Sequence, residues 1–412
     1  MKMTRWAGLA LSLAMLTTGL GAWGQTVKIL AGQSTTDAGI EDLISKAVTA
    51  KYPSIKLDWE VVDWGTGFQP KMQQYLQSGL PDLMVGKAQD VTTYASKGVL
   101  ADLTSKGYIG NVLDAAVGSG AYKGHIYGVV FNALYQGVYY NRKIFKDNGL
   151  TVPKTQADLA VIIKKLNDKK ITPFETHFLD TWSIGNITNQ FAINDVFNTT
   201  TDWGDQFRAN QVSFSTSKAF QTAYQYNKLI FDNTWKNETF SLEQTKADAR
   251  LVQGKAAMKV SGSWSIQNFF DVDPNFDFGI FPFPNQAGNA KLIYEPNITF
   301  MVSKASKVAD AVDKVLEVIT TNKELATAIY NQTKTAPMLK GVSPTFKNPS
   351  QADIDAYAAK NQIVDANLGN NQLTWGGFQE ENAKDIASWL QGKMTFEAVL
   401  KASDSRRANS KP

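Results

Sequence analysis

The 412-residue chain contains no cysteine. This absence excludes disulfide bonds, thiol nucleophiles and every metal site that depends on cysteine ligands. It also leaves no cysteine to which a lipid anchor could be attached after export. The stability and the function of the protein must therefore come from packing, hydrogen bonds and charge.

Recognisable catalytic and cofactor-binding motifs are lacking as well. Only two histidines occur, His125 and His177, and they are too far apart for a His-x-x-x-His metal site. Neither Gly-x-Ser-x-Gly nor the phosphate-binding loop Gly-x-x-x-x-Gly-Lys-[Ser/Thr] is present. We therefore expect no catalytic residue, no metal and no cofactor. Acidic residues are numerous enough to supply the two carboxylates of a glycosidase, but no motif nominates a pair.

Long apolar runs are confined to the N-terminus. Lys2 and Arg5 precede the apolar run 7–20, and Ala22 and Gly24 follow as the small residues of a cleavage site. The pattern predicts a secretory signal peptide over residues 1–24. An uncleaved anchor is the alternative, but the run is short of the roughly 20 apolar residues that span a bilayer. Cleavage would remove two of the 42 basic residues and none of the 38 acidic ones, leaving a net charge of +2, which argues against a nucleic-acid partner.

The length of the remaining chain predicts two domains, because a single core rarely serves so many residues. Between residues 27 and 98, strand-like segments alternate with helix-like ones, which is typical of a parallel, doubly wound α/β sheet. Ligands of such sheets lie beyond the carboxyl ends of the strands. The loops predicted there supply four candidate binding residues, of which Asp90 is also expected to cap a helix: Gln33, Trp64, Lys87 and Asp90.

The stretch from residue 122 to residue 155 carries the most specific phrase in the sequence. It contains Ile126-Tyr127-Gly128, Tyr139-Tyr140-Asn141-Arg142, Phe145, Gly149-Leu150 and Pro153-Lys154-Thr155. Further phrases follow in order at Gly254–Met258, Gly262–Trp264, Phe278–Pro284 and Leu390–Ala398. Together they resemble family 1 of the bacterial extracellular solute-binding proteins, the maltose-binding-protein-like sugar-binding proteins of ABC transporters. This sequence departs from the family pattern at three places. Val130 stands where the family has proline, Gln156 where it has tryptophan, and Glu295-Pro296 where it often has paired glycines.

The resemblance implies a periplasmic-binding-protein-like (type II) α/β fold, in which two doubly wound lobes are joined by a multi-strand hinge and enclose a ligand cleft. It implies an N-terminal lobe of residues 25–132 plus 298–320 and a C-terminal lobe of residues 136–292 plus 321–412. The crossings between the lobes are expected near 132–136, 293–297 and 320. The expected substrate-binding residues are Gln33, Trp64, Lys87, Asp90, Asn132, Tyr135, Trp182, Trp264, Glu295 and Trp375.

Tryptophan is abundant, with ten residues in the chain. Four of them lie in predicted loops, at positions that the family uses for its cleft: Trp64, Trp182, Trp264 and Trp375. Taken one at a time, each is better explained by burial in a core. As a group they favour a sugar ligand, because an indole stacks on the apolar C–H face of a sugar ring. Carboxylates and amides bond the hydroxyl groups around that ring.

We therefore expect a non-enzymatic periplasmic protein, free of a lipid anchor, that captures a mono- or oligosaccharide and delivers it to an ABC importer. Its expected partners are the carbohydrate and the permease subunits in the membrane, and the protein itself is expected to be a monomer. One alternative is a secreted carbohydrate-active enzyme. Another is a protein of the same fold that binds an anion or a metal ion, for which a small, charge-rich pocket would be expected.

Overall fold

The computed structural model of the protein describes residues 24–32, 39–63, 67–367 and 378–410. The strands are β1 (Gln25–Gly32), β2 (Ile55–Val62), β3 (Leu83–Gly86), β4 (Ala121–Tyr122), β5 (His125–Ile126), β6 (Gly128–Val130), β7 (Asn132–Asn141), β8 (Thr172–Phe174), β9 (Ala256–Gly262), β10 (Phe278–Phe281), β11 (Leu292–Pro296), β12 (Thr299–Val302), β13 (Ala336–Pro337) and β14 (Ile363–Asp365). The α-helices are α1 (Ile40–Lys51), α2 (Phe68–Ser78), α3 (Ala88–Ser96), α4 (Asp114–Ser119), α5 (Arg142–Asp147), α6 (Gln156–Asp168), α7 (Trp182–Ala192), α8 (Trp203–Arg208), α9 (Lys218–Asp232), α10 (Gln244–Val252), α11 (Ile266–Val272), α12 (Ala309–Thr321), α13 (Lys323–Thr333), α14 (Gln351–Ala359), α15 (Phe378–Leu390) and α16 (Phe396–Ser405).

The first lobe is built on a sheet with the strand order β2-β1-β3-β12-β6. β1 runs parallel to β2 and β3, as the alternation of strands and helices predicts. β12 is antiparallel to β3 and β6, because the chain enters it from the second sheet. α12 packs its apolar face into the core of this lobe, where four side chains are fully buried: Val312, Val315, Leu316 and Ile319.

The second lobe is built on a sheet with the strand order β14-β11-β7-β9-β8, in which β10 and β13 also pair with β7. β8 is parallel to β9 and β11 is parallel to β14, whereas β7 is antiparallel to its neighbours. Thr155 caps α6, because its hydroxyl accepts from the Asp158 N–H at 3.1 Å. The expected two-lobed α/β architecture is confirmed.

The connections between the sheets are short. Phe131 alone separates β6 from β7, and residues 297–298 separate β11 from β12. A later passage leads from α13 to β13, which pairs with the start of β7. The apolar side of α13, including Leu325 and Ile329, packs in the core of the first lobe, although the expected division assigns residues 321–412 to the second lobe.

Asn132 fastens these connections to one another. Its main-chain carbonyl accepts from the Asn297 N–H at 2.9 Å, and its side-chain oxygen accepts from the Ile298 N–H at 2.7 Å. The side-chain nitrogen donates to the Thr335 hydroxyl at 3.0 Å, just before β13. Since the side chain is fully buried, both of its polar atoms are engaged by the protein itself. Asn132 is also one of the predicted substrate-binding residues, and in the structure its side chain bonds the crossing segments.

Among the described helices, none is both long enough and apolar enough to cross a membrane.

Replacement of Asn132 by Ala should lower the free energy of unfolding by about 2–4 kcal/mol, because it leaves the buried Ile298 N–H and the Thr335 hydroxyl without their partner. Urea unfolding followed by far-UV circular dichroism measures the change. The matched control is Asn237→Ala at an exposed position, which should change stability by less than about 0.5 kcal/mol. Equal stabilities of the two variants would show that Asn132 does not hold the connections.

Candidate ligand-binding site

Two indoles meet at the carboxyl end of the parallel strands β8 and β9. Trp182 begins α7, and Trp264 lies in the short turn that follows β9. Their ring centroids are 5.8 Å apart and the rings are nearly perpendicular, at 76°. Both side chains are half-buried. We call Trp182 and Trp264 the indole pair; it lies where ligands of parallel sheets are found.

The position of the Trp264 ring requires that residue 262 has no side chain. A Cβ atom at this position would lie 2.1 Å from a carbon of the indole, far inside van der Waals contact. The ring therefore folds back over the end of β9, which only glycine allows. This contact is the physical reason for the Gly-x-Trp phrase found in the sequence.

Several polar atoms without hydrogen-bond partners lie on the elements that carry the indole pair or next to them. His177 is buried and meets Trp182 edge to face, with ring centroids 5.1 Å apart. Within the described part of the chain, neither nitrogen of His177 has a hydrogen-bond partner, and the same is true of Trp264 Nε1 and Gln190 Oε1. Burial, with a smaller contribution from the charge of Lys259, holds the pKa of His177 well below its usual 6.5. The imidazole is therefore neutral and offers one N–H donor and one acceptor.

Charged side chains are buried in the interior close to His177. Lys259 and Asp248 form a buried ion pair, and Asn268 donates to the other oxygen of Asp248 at 2.8 Å. Glu175 is also buried; one of its oxygens lies 3.9 Å from Arg250 and the other has no partner among the described residues. Burial raises the pKa of Glu175 to about 7, and the positive charge of Arg250 offsets only part of this effect.

A chain of polar side chains connects the two lobes next to this site. Lys87, which follows β3, forms a 2.8 Å ion pair with Glu295 of β11. The second oxygen of Glu295 accepts from the Gln136 side chain, and the side-chain amide oxygen of Gln136 accepts from Asn186 at 2.8 Å. Gln190 donates to Asn186 at 2.9 Å and thereby ties the chain to α7, the helix that begins at Trp182.

The remaining sequence-predicted residues have different surroundings. Asp90 is buried, and burial raises its pKa; its carboxylate accepts from the Lys87 N–H at 2.9 Å and from Gln69 at 2.8 Å. The expectation that Asp90 is the N-cap is wrong, because α3 begins two residues earlier and Asp90 is its third residue. Tyr135 is half-buried, with its ring 6.0 Å from that of Tyr294. The expected site residues Gln33, Trp64 and Trp375 lie outside the described residues.

Sequence reasoning missed the polar residues of the second lobe. His177 was considered only as a metal ligand, and Gln136 lies in a strand that reads as core. Asn186 and Gln190 carried a usable signal, since two amides four residues apart lie on the same side of the mainly apolar helix α7. No group of three or more potential metal-ligating side chains occurs in the described parts of the chain.

Replacement of Glu175 by Gln should change how stability depends on pH. A carboxyl whose pKa is raised on folding contributes stability that is complete below its unfolded pKa of 4.5 and is lost as the pH rises to about 7. The wild-type free energy of unfolding should therefore fall by about 3 kcal/mol over this window relative to that of the variant. Urea unfolding at pH 4.5, 5.5, 6.5 and 7.5 measures the difference.

Glu243→Gln is the control for this experiment, because the Glu243 side chain is 55% exposed. It should follow the wild-type pH profile. Parallel profiles for wild type and Glu175→Gln would contradict the raised pKa.

Comparison with known proteins matches residues 31–326 to the family described as bacterial extracellular solute-binding protein. The multiple sugar-binding protein of Streptococcus mutans is 23% identical over 79% of this chain and 78% of its own length. RafE of Streptococcus pneumoniae, solved in complex with raffinose, has a TM-score of 0.75 at 21% identity, covering 94% of this chain and 100% of that one. A sugar transporter of Bacillus licheniformis in complex with stachyose has a TM-score of 0.78 at 15% identity, with 94% and 100% covered.

The structural likenesses establish the fold, and the family match spans well over half of the sequence. The chain therefore belongs to the bacterial extracellular solute-binding protein family, and it is a binding protein rather than an enzyme.

Proposed function

We propose that this protein binds a carbohydrate outside the cytoplasm, at the indole pair, and delivers it to an ABC importer. The observation that carries the proposal is the half-exposed, perpendicular arrangement of Trp182 and Trp264 beside unpartnered polar atoms. A sugar ring presents an apolar face and a rim of hydroxyl groups. One of the two perpendicular indoles can stack on the apolar face of the sugar, and the other then offers an aromatic surface beside the same ring.

The polar atoms around the indole pair suit hydroxyl groups. A hydroxyl both donates and accepts, and a neutral imidazole, an amide oxygen and an indole N–H together supply both kinds of partner. His177, Gln190 and Trp264 provide these atoms. The nearby charges of Lys259 and Asp248 neutralise each other, which disfavours the alternative of an anion or metal ligand.

The names of the relatives support the same ligand class. The relatives reported above include a multiple sugar-binding protein and structures that contain raffinose or stachyose. The maltotriose-binding protein of Pyrococcus abyssi is 24% identical over 63% of this chain and 54% of its own length. We extend the common feature, carbohydrate binding, to this chain, and assign no individual sugar to it.

Closure of the two lobes would complete the site. The short connections at Phe131 and at 297–298 act as a hinge between rigid sheets, and the Lys87–Glu295 pair bridges the lobes beside it. A ligand that touches both lobes favours the closed form by its differential affinity. The closed surface gives the permease a means of recognising loaded protein. Export through a cleaved leader over residues 1–24, and function as a monomer in the periplasm, complete the proposal.

His177→Leu should weaken carbohydrate binding by about 1–3 kcal/mol, because ligand hydroxyl groups lose their partner. Its free energy of unfolding should stay equal to that of the wild type or rise, since the two unpartnered nitrogens are removed from the interior. Calorimetric titration with the tightest sugar from a thermal-shift screen measures binding, and urea unfolding measures stability. Carbohydrate at 100 times its dissociation constant stabilises the protein by about 2.7 kcal/mol, which makes such a screen decisive.

The control is His125→Leu, since the His125 side chain is 57% exposed and lies in the other lobe. It should bind the sugar as the wild type does. If His177→Leu binds normally, or loses affinity only because it is unfolded, the imidazole has no part in recognition.

Binding of the same sugar should reduce the radius of gyration in solution scattering and change tryptophan fluorescence together. Trp264→Ala should weaken both responses while the far-UV circular dichroism spectrum stays unchanged, because the half-buried ring lies at the surface of the site. Trp264→Phe retains an aromatic face and should recover part of the affinity. Tight binding with an unchanged scattering profile would reject closure and leave the binding proposal intact.

A further inference from the structure

Lysines gather at the end of the second lobe that lies opposite the indole pair. Lys165 is on the last turn of α6, and Lys169 and Lys170 connect that helix to β8. Lys146 lies on α5, and Lys255 directly precedes β9. All five residues are exposed. We call Lys146, Lys165, Lys169, Lys170 and Lys255 the basic pole. The candidate site makes no use of it.

Contacts between α5, α6 and the turn before β9 bring these lysines onto one surface. Lys169 Nζ donates to Asn148 Oδ1 at 2.9 Å, so the end of α6 lies against the end of α5. A Cβ atom at Gly254, in the turn before β9, would lie 4.0 Å from the side chain of Ile144 on α5. β8 and β9 are neighbouring parallel strands, and the turns that enter them therefore lie side by side.

The charge of the basic pole is not neutralised by the carboxylates that the structure describes. None of the five lysines forms an ion pair with a described residue. The adjoining carboxylates, Asp147 and Asp168, each pair with another lysine of their own helix, at 2.6 and 2.7 Å. Beyond α5 the basic surface ends at Arg142, which pairs with Asp277 and Asp353. The five lysines exceed the net charge of +2 that the chain has after cleavage, so the rest of the protein is net negative.

The backbone at Lys170 does not account for a lysine there. Three turns at the basic pole place a residue in the left-handed region, with φ of 60° at Gly149, 59° at Lys170 and 71° at Gly254. Glycine adopts this conformation freely, whereas a residue with a Cβ atom is strained in it. Glycine would therefore suit position 170 better, and the charge of the side chain is what lysine adds.

The chemistry of the basic pole fits an anionic bilayer surface better than a nucleic acid. Nucleic-acid sites use arginine forks and aromatic rings that stack on bases, and the basic pole contains neither. Lysine is a point charge that anionic headgroups attract. Val161 is 56% exposed and lies four residues before Lys165, on the same face of α6. An apolar side chain among lysines can enter the boundary between headgroups and acyl chains.

We propose that the basic pole docks the protein on a bilayer surface that bears anionic phospholipid headgroups. The seven residues of β9 separate the basic pole from the indole pair by about 20 Å. A docked protein therefore holds its candidate site away from the lipid and open to solute. The inference goes beyond the proposed function and does not depend on the ligand being a sugar.

Sedimentation of the full chain with vesicles tests the docking surface. The wild type should bind vesicles of equimolar phosphatidylglycerol and phosphatidylcholine at about 50 mM salt and be released at about 500 mM, because salt screens the attraction. The triple variant Lys165→Gln/Lys170→Gly/Lys255→Gln should bind about 100-fold more weakly, since each lysine near an anionic surface contributes about 5-fold. Glycine also relieves the left-handed backbone at position 170, so the triple variant should remain folded.

The matched control is Lys46→Gln/Lys56→Gln/Lys304→Gln, which removes three exposed lysines of the first lobe and should bind as the wild type does. Vesicles of phosphatidylcholine alone measure any binding through the apolar run 7–20, which is the same in every variant. Equal affinities of the two triple variants, or binding that does not depend on phosphatidylglycerol, would overturn the docking surface. Binding of the basic pole to a DNA duplex but not to vesicles would overturn it as well. The sugar titrations described above test the proposed function separately.

Discussion

The arrangement of the lobes depends on the hydrogen bonds made by Asn132. One buried amide joins the segments through which the chain passes between its sheets, and the connections are only one or two residues long. Strands therefore continue almost directly from one sheet into the other. As a result, the end of β3 lies within ion-pair distance of β11, where Lys87 meets Glu295. The polar chain from Glu295 to α7 then reaches the helix that begins with Trp182.

The site has a cost in folding free energy that its neighbourhood offsets. Buried polar atoms without partners each disfavour the folded state by about 1–3 kcal/mol, and among the described residues His177, Glu175 and Gln190 carry such atoms. The raised pKa of Glu175 has the same origin, because burial penalises its charged form. Large aromatic clusters in the second lobe, including Trp203 stacked on Phe207 at 5.3 Å, supply compensating packing. Unmet hydrogen bonds of this kind are common where a ligand is to be received.

The sequence predicted the fold through signals that are local in the chain. The alternation of strand-like and helix-like segments near the N-terminus predicted a parallel sheet, and the structure has the parallel strands β1, β2 and β3 there. The boundary near residue 320 was harder, because the apolar face of α13 does not reveal in sequence which core it joins, and tertiary packing places it in the first lobe. Asp90 looked like a cap because its carboxylate does bond the start of α3, but from inside the helix.

The sequence predicted some residues of the candidate site and missed others. The Gly-x-Trp phrase identified Trp264, whose ring requires the missing side chain of Gly262, and Trp182 was found beside it. Asn132 was predicted as a site residue because it lies near a crossing between the lobes. The same position explains why its side chain bonds Ile298 and Thr335 in the crossing segments. His177 and Gln190 could not be predicted as site residues from the sequence. Whether their polar atoms find a hydrogen-bond partner depends on the folded surroundings, which the sequence pattern does not show. The same holds for Gln136, whose partner Glu295 lies 159 residues away in the chain.

A crystal structure with the tightest carbohydrate from the thermal-shift screen tests the central claim most directly. The account predicts one sugar ring packed with its C–H face on Trp182 or Trp264, and hydroxyl groups within about 3.2 Å of His177 and of Trp264 Nε1. Density for the sugar at another surface, with His177 still unpartnered and the indole pair uncovered, would contradict it.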